Sequence, residues 1–145
     1  MNDPDKITEF LAKVPLLDGL NKRQLRKLAS RFVSRHYGPN EAIVTQGKAG
    51  EGLFILTSGH AEAIRERPDG SKVAVNTFGP TDFFGELALL YEGTRTASVI
   101  TTTDTDCLVL ARWDFLSNMR EDAEMGVVIS QELAKRFRRA LDALS

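Results

Sequence analysis

The sequence predicts an α+β fold in which a β-barrel or jelly-roll stands between helical ends. Three observations lead there. Apolar residues recur every three to four positions near both ends of the chain: Ile7, Phe10, Leu11 and Val14, then Met125, Ile129, Leu133, Phe137 and Leu141. Between about Phe32 and Arg112 the texture changes to short apolar and β-branched runs broken by glycine. Many short strands at such close spacing fit a barrel or a two-sheet roll.

In chain order, Pro15 stops the first helix. Asn21 stands where it can cap a second, whose Leu25, Leu28 and Ala29 face inward. The clearest strands are Ala42–Thr45, Leu53–Leu56, Lys72–Val75, Ser98–Thr101 and Cys107–Leu110. His60–Arg67 and Ser71–Phe78 flank Pro68-Asp69-Gly70, a good hairpin turn. A short helix over Asp114–Met119 and a long one from about Asp122 to Leu144 complete the series. The 145 residues contain no linker, repeat or low-complexity stretch. They are expected to form one domain, with helices over 1–30, a β-roll over 31–112 and helices over 113–145.

Composition narrows the function. A formal net charge of -1 gives no bulk attraction to nucleic acid or to an anionic membrane. No apolar run approaches the roughly 20 residues that span a bilayer. The polar start Met1–Lys6 lacks the apolar stretch of a signal peptide. Cys107 is the single cysteine, so no intrachain disulfide can form. Together these features predict a cytoplasmic protein. His36 and His60 have no carboxylate or cysteine at ligand spacing, and no serine or cysteine has a His–acid set in view. The expectation is therefore a non-enzyme without metal or cofactor.

One segment carries chemistry. Residues 83–99 place Gly85 and Glu86 before a short apolar helical run, with Arg95 after a small turn. The N–H groups of Leu87 and Ala88 would lie at a helix N-terminus, where an anion is favoured. Glu86 can accept a hydrogen bond from a sugar hydroxyl. Arg95 presents a planar fork suited to a phosphate. Each residue alone has a plainer role: Glu86 as a first-turn acid, Arg95 as a solvated surface residue, Ala97 and Leu87 as packing. The cations Lys135, Arg136, Arg138 and Arg139 would complement a helix C-terminus.

Phe84-Gly-Glu-Leu-Ala-Leu89, then the spacer Tyr91–Thr94, then Arg95-Thr-Ala-Ser-Val99, resembles the phosphate-binding cassette of cyclic nucleotide-binding domains. Pro15–Leu20, Glu41–Gly47 and Phe54–Gly59 resemble that family's other landmarks, so the likeness covers nearly the whole chain. It implies a double-stranded β-helix, or jelly-roll, closed by a C-terminal lid helix. It also implies that Phe84, Gly85, Glu86, Leu87, Ala88, Arg95, Thr96 and Ala97 surround cAMP or cGMP, with Glu86 on the ribose and Arg95 on the phosphate. Thr96 beside the arginine occurs in binders of either nucleotide; the overall lean is toward cAMP. Arg136, Phe137 or Leu141 would supply the contact over the base.

Family members that activate transcription continue into a DNA-binding module, for which no residues remain here. The expected signal then leaves through movement of the C-terminal helices, to an effector protein or to a homodimer formed along the last helix. The alternative is a scaffold of the same fold that binds no nucleotide.

Overall fold

The computed structural model describes residues 2–50, 52–86 and 93–144. The chain divides into two compact units, Phe32–Trp113 and Met1–Arg31 with Asp114–Ser145. The first is the roll. Its strands are β1 (Val33–Tyr37), β2 (Ala42–Val44), β3 (Gly52–Ser58), β4 (Ala61–Glu66), β5 (Lys72–Phe78), β6 (Phe83–Phe84), β7 (Ser98–Thr101) and β8 (Thr105–Ala111). They form two four-stranded sheets, ordered β1-β8-β3-β6 and β2-β7-β4-β5. Every pairing is antiparallel.

Alternate residues explain why the sheets face each other. Phe54 and Leu56, Cys107 and Val109, and Phe84 point inward from one sheet; Ile43, Ala61, Ala63, Phe78 and Val99 answer from the other, and together they form one core. The five strands singled out in the sequence are all present, several of them longer than expected. β1 and the two-residue β6 are additions: β1 is mostly exposed, and β6 is too short to leave a pattern.

The hairpin forms as its turn chemistry dictates. Arg67 N–H donates to Ser71 O at 2.8 Å and Gly70 N–H to Arg67 O at 2.9 Å. Gly70 adopts φ +86°, which glycine tolerates without strain. Asp69 accepts from both Ser71 N–H and its hydroxyl. Further along, Ala63 pairs with Asn76 but Ile64 pairs with Ala74. Val75 is therefore the extra residue of a β-bulge.

The second unit is helical: α1 (Pro4–Leu11), a 3-10 turn (Pro15–Leu17), α2 (Lys22–Ala29), α3 (Arg112–Glu121, all but its first two residues) and α4 (Ala123–Ala143). α1 ends short of Val14, which is held extended at φ -89° and ψ 117° before Pro15. Asn21 caps α2 as expected, in a reciprocal box: Gln24 N–H donates to Asn21 Oδ1 at 2.8 Å, and Asn21 N–H to Gln24 Oε1 at 3.0 Å. Asp122 caps α4, accepting from Met125 N–H at 3.3 Å. The same carboxylate accepts from Gln24 Nε2 at 3.2 Å, and Lys27 meets Glu121 at 3.0 Å, so α2 is tied to the end of α3 and the start of α4. Along α4, Met125 and Ile129 are buried, whereas Phe137 and Leu141 are 66% and 47% exposed. The apolar stripe is thus a packing face only in its first half. Among the described residues no helix is long and apolar enough to cross a membrane.

On the exposed side of the roll, His36 faces Asp106 across β1 and β8. His36 Nδ1 lies 2.7 Å from Asp106 Oδ1. The hydrogen bond to Asp106 holds the imidazole pKa above its usual 6.5, and the same bond holds the Asp106 carboxyl below its usual 3.8. The raised imidazole contributes stability fully below pH 6.5, and that contribution is lost as pH rises through its elevated value. The lowered carboxyl contributes above pH 3.8 and loses its share as pH falls through its depressed value. The pair therefore acts between those limits. In Asp106→Asn, an NMR titration should show the His36 midpoint moving down toward 6.5; an unmoved midpoint would exclude the pairing in solution.

Candidate functional site: the concavity around Arg95

Arg95 is fixed through its backbone on both sides. Its N–H donates to Lys48 O at 2.8 Å, and its carbonyl accepts from Gly47 N–H at 2.8 Å. A bridge between Ala49 and Thr94 and the Gly50 N–H bond to Gly93 O continue the pairing. Gly47 reaches this position at φ +83°. Gln46 anchors the same loop: its N–H donates to Ser98 Oγ, and its amide exchanges two hydrogen bonds with the Glu66 backbone.

The side chain of Arg95 is half-buried. Nη2 donates to Gly52 O at 2.9 Å, and Cζ stands 6.0 Å from the centre of the Phe54 ring, within cation–π reach. Gly85 closes against this group at φ +85°. A Cβ there would strike the Gly52 carbonyl oxygen and come within 2.7 Å of Arg95 Nη1. Only glycine lets the backbone and the guanidinium approach so closely.

Around this contact lies a concavity of about 370 Å³, lined by Val44, Ala63, Arg65, Val75, Asn76, Phe78, Phe84, Gly85, Arg95, Thr96, Ala97 and Val99. That is the size of a small-molecule site. Among the described residues, two guanidinium groups line it and no carboxylate does. Its field therefore favours an anion, and its apolar wall favours a flat hydrocarbon-rich body.

Five residues expected from the sequence, Phe84, Gly85, Arg95, Thr96 and Ala97, meet in this one space. Glu86 follows Gly85, half-buried, and is not among the lining residues. Leu87 and Ala88, with the helical run they were expected to open, lie outside the described residues. Arg136, Phe137 and Leu141 belong to α4 in the helical unit. Arg65, Val75 and Asn76 were not foreseen. Arg65 shares the parity of Ala61 and Ala63 on β4, a signal that the alternation carries; Asn76 depends on the bulge, which leaves no mark in the sequence.

A family profile described as "Cyclic nucleotide-binding domain" matches residues 34–122. The cyclic AMP receptor protein of Thermus thermophilus is 34% identical over 134 residues, 90% of this chain and 62% of that protein. Two solved structures are similar in fold and sequence. The regulatory domain of Toxoplasma gondii PKA, crystallised with cAMP, has a TM-score of 0.82 and 28% identity over 94% of this chain. The regulatory subunit of a cAMP-independent protein kinase A from Trypanosoma cruzi, bound to guanosine, has a TM-score of 0.78 and 29% identity over 98% of this chain. This chain spans 50% and 51% of those two chains.

Proposed function

Because the chain belongs to the cyclic nucleotide-binding domain family, we propose that its roll is a sensor site for a 3′,5′-cyclic nucleotide, cAMP or cGMP. The observation that carries this reading is the meeting of Arg95 with Gly85, Thr96 and Ala97 in a concavity lined, among the described residues, by two cations and no acid. Arg95 engages the cyclic phosphate, its orientation set by the Gly52 carbonyl. The backbone N–H groups of Leu87, Ala88 and Ala97 add donors to the phosphate, and Glu86 accepts from the ribose 2′-hydroxyl. The 145 residues act as one cytoplasmic sensor domain without a catalytic step.

The deciding experiment is calorimetric titration of the chain with cAMP and with cGMP, using Arg95→Ala as the control and mass spectrometry to exclude co-purified ligand. Micromolar or tighter binding that the substitution abolishes is the expected result. Absence of heat from both nucleotides would overturn this reading in favour of a nucleotide-free scaffold.

We further propose that occupancy is passed on through α3 and α4, with a residue such as Arg136, Phe137 or Leu141 closing over the base. The energy for that change must come from tighter binding to one arrangement of the helices. Amide exchange over residues 122–144 should slow when nucleotide is added; equal protection in both states would sink this coupling. The signal then reaches an effector protein or a second copy. Phe137 and Leu141, exposed on the last turns of α4, and Leu144 just after it supply an apolar line for a homodimer.

A further inference from the structure

If the cyclic phosphate lies at Arg95 and Gly85, the base must meet the rest of the lining. Val44, Ala63, Val75, Phe78 and Val99 there are apolar. Beyond the phosphate end, the polar side chains in the lining are, among the described residues, Arg65, Asn76 and Thr96. Ala63 pairs with Asn76 across β4 and β5, and Arg65 lies two residues beyond Ala63 on the same face. Arg65 and Asn76 are therefore diagonal neighbours on one wall. The bulge at Val75 is what puts Asn76, rather than Val75 alone, on that wall.

The chemistry of this wall is one-sided. A guanidinium only donates. The Asn76 amide can do both; its Oδ1 accepts from Thr77 N–H at 2.9 Å, and its Nδ2 is a donor. Two adjacent donors match a purine edge with two acceptors. Guanine offers O6 and N7 as acceptors, whereas adenine offers N7 beside an amino group that itself donates. An amino group facing Arg65 would leave a donor against a donor.

We infer that Arg65 and Asn76 read the purine edge and select a 6-oxopurine cyclic nucleotide over cAMP. This rests on the nucleotide-binding reading above and reverses the lean toward cAMP drawn from the sequence. Thr96, with a hydroxyl that can accept, is a candidate partner for the 2-amino group of guanine and adds to the preference without creating it.

The test is calorimetric titration of the full chain with cGMP, cAMP and cyclic IMP, which keeps the 6-oxo group but lacks the 2-amino group. The parent should bind cGMP and cyclic IMP about 5- to 50-fold more tightly than cAMP, the span expected for one good two-point base contact at a partly exposed wall. Arg65→Leu keeps the aliphatic stem, and Asn76→Asp reverses the hydrogen-bond sense; both should bring the cGMP-to-cAMP ratio toward one. Ratios cancel any general loss of affinity. Preference for cAMP, or a ratio unmoved in both variants, overturns the base assignment while Arg95-dependent binding leaves the site itself standing. Cyclic IMP binding no better than cAMP overturns it too, by moving the selection to the 2-amino group. No binding of any of the three overturns both readings together.

Discussion

Arg95→Lys should bind cyclic nucleotide about 10- to 150-fold more weakly than the parent chain, the loss expected when a charge-assisted hydrogen bond is forfeited. The substitution keeps the positive charge, so a site that needed only charge would tolerate it. Geometry argues otherwise. The guanidinium reaches Gly52 O with Nη2 at 2.9 Å while its Cζ stands over the Phe54 ring and its Nη1 lies close to Gly85. An ammonium is a compact point donor on a flexible stem; it cannot hold a carbonyl on one edge and a phosphate on another in one fixed plane. Since the backbone of residue 95 is pinned by Gly47 and Lys48, the loop should stay in place and the fold should survive. Calorimetry with an unchanged circular dichroism spectrum checks both halves. Parent-like affinity in Arg95→Lys would remove the phosphate role from Arg95.

Phe54→Ala should cost about 3–5 kcal/mol of stability, the usual range for truncating a buried aromatic. A domain of this kind has only about 5–15 kcal/mol to lose. Phe54 is 0% exposed. Its ring stacks on Phe84 at 5.1 Å with 3° between planes, and Phe84 in turn touches Phe78 at 5.2 Å. The ring also underlies Arg95, so its removal takes away core packing and the floor of the binding group together. Urea denaturation should show the midpoint falling steeply in Phe54→Ala and less in Phe54→Leu, which refills most of the volume. A loss below about 1 kcal/mol would mean that the roll collapses around the gap.

Much of this was legible because local chemistry and long-range packing agree. Asn21 reads as a helix cap in the sequence, and in the structure Gln24 three residues later completes it as a capping box. Pro68-Asp69-Gly70 turns a hairpin because Asp69 accepts from Ser71 and Gly70 takes a positive φ. Phe84, Gly85, Arg95, Thr96 and Ala97 converge because one continuous segment carries them, and Gly85 and Arg95 need each other sterically. What stayed hidden depended on partners distant in the chain. β1 became a strand by pairing with β8, more than sixty residues on, and its own composition hardly says so. Asn76 lines the site through a bulge set by its pairing with β4. The stripe on α4 reads as uniform along the helix, yet only Met125 and Ile129 find a core; periodicity marks a face and does not say how much of it is covered.

Cys107 lies in the middle of the roll's core at 1% exposure, with burial pushing its thiol pKa up to about 12. At neutral pH almost none of it is thiolate, and a labelling reagent cannot reach it while the two sheets stay closed. The chain thus carries a single natural clock for the opening of its roll. Fraying of the terminal helices should leave that clock still, whereas each excursion that parts the sheets advances it; a nucleotide that tightens the roll would slow it in proportion to the opening it suppresses.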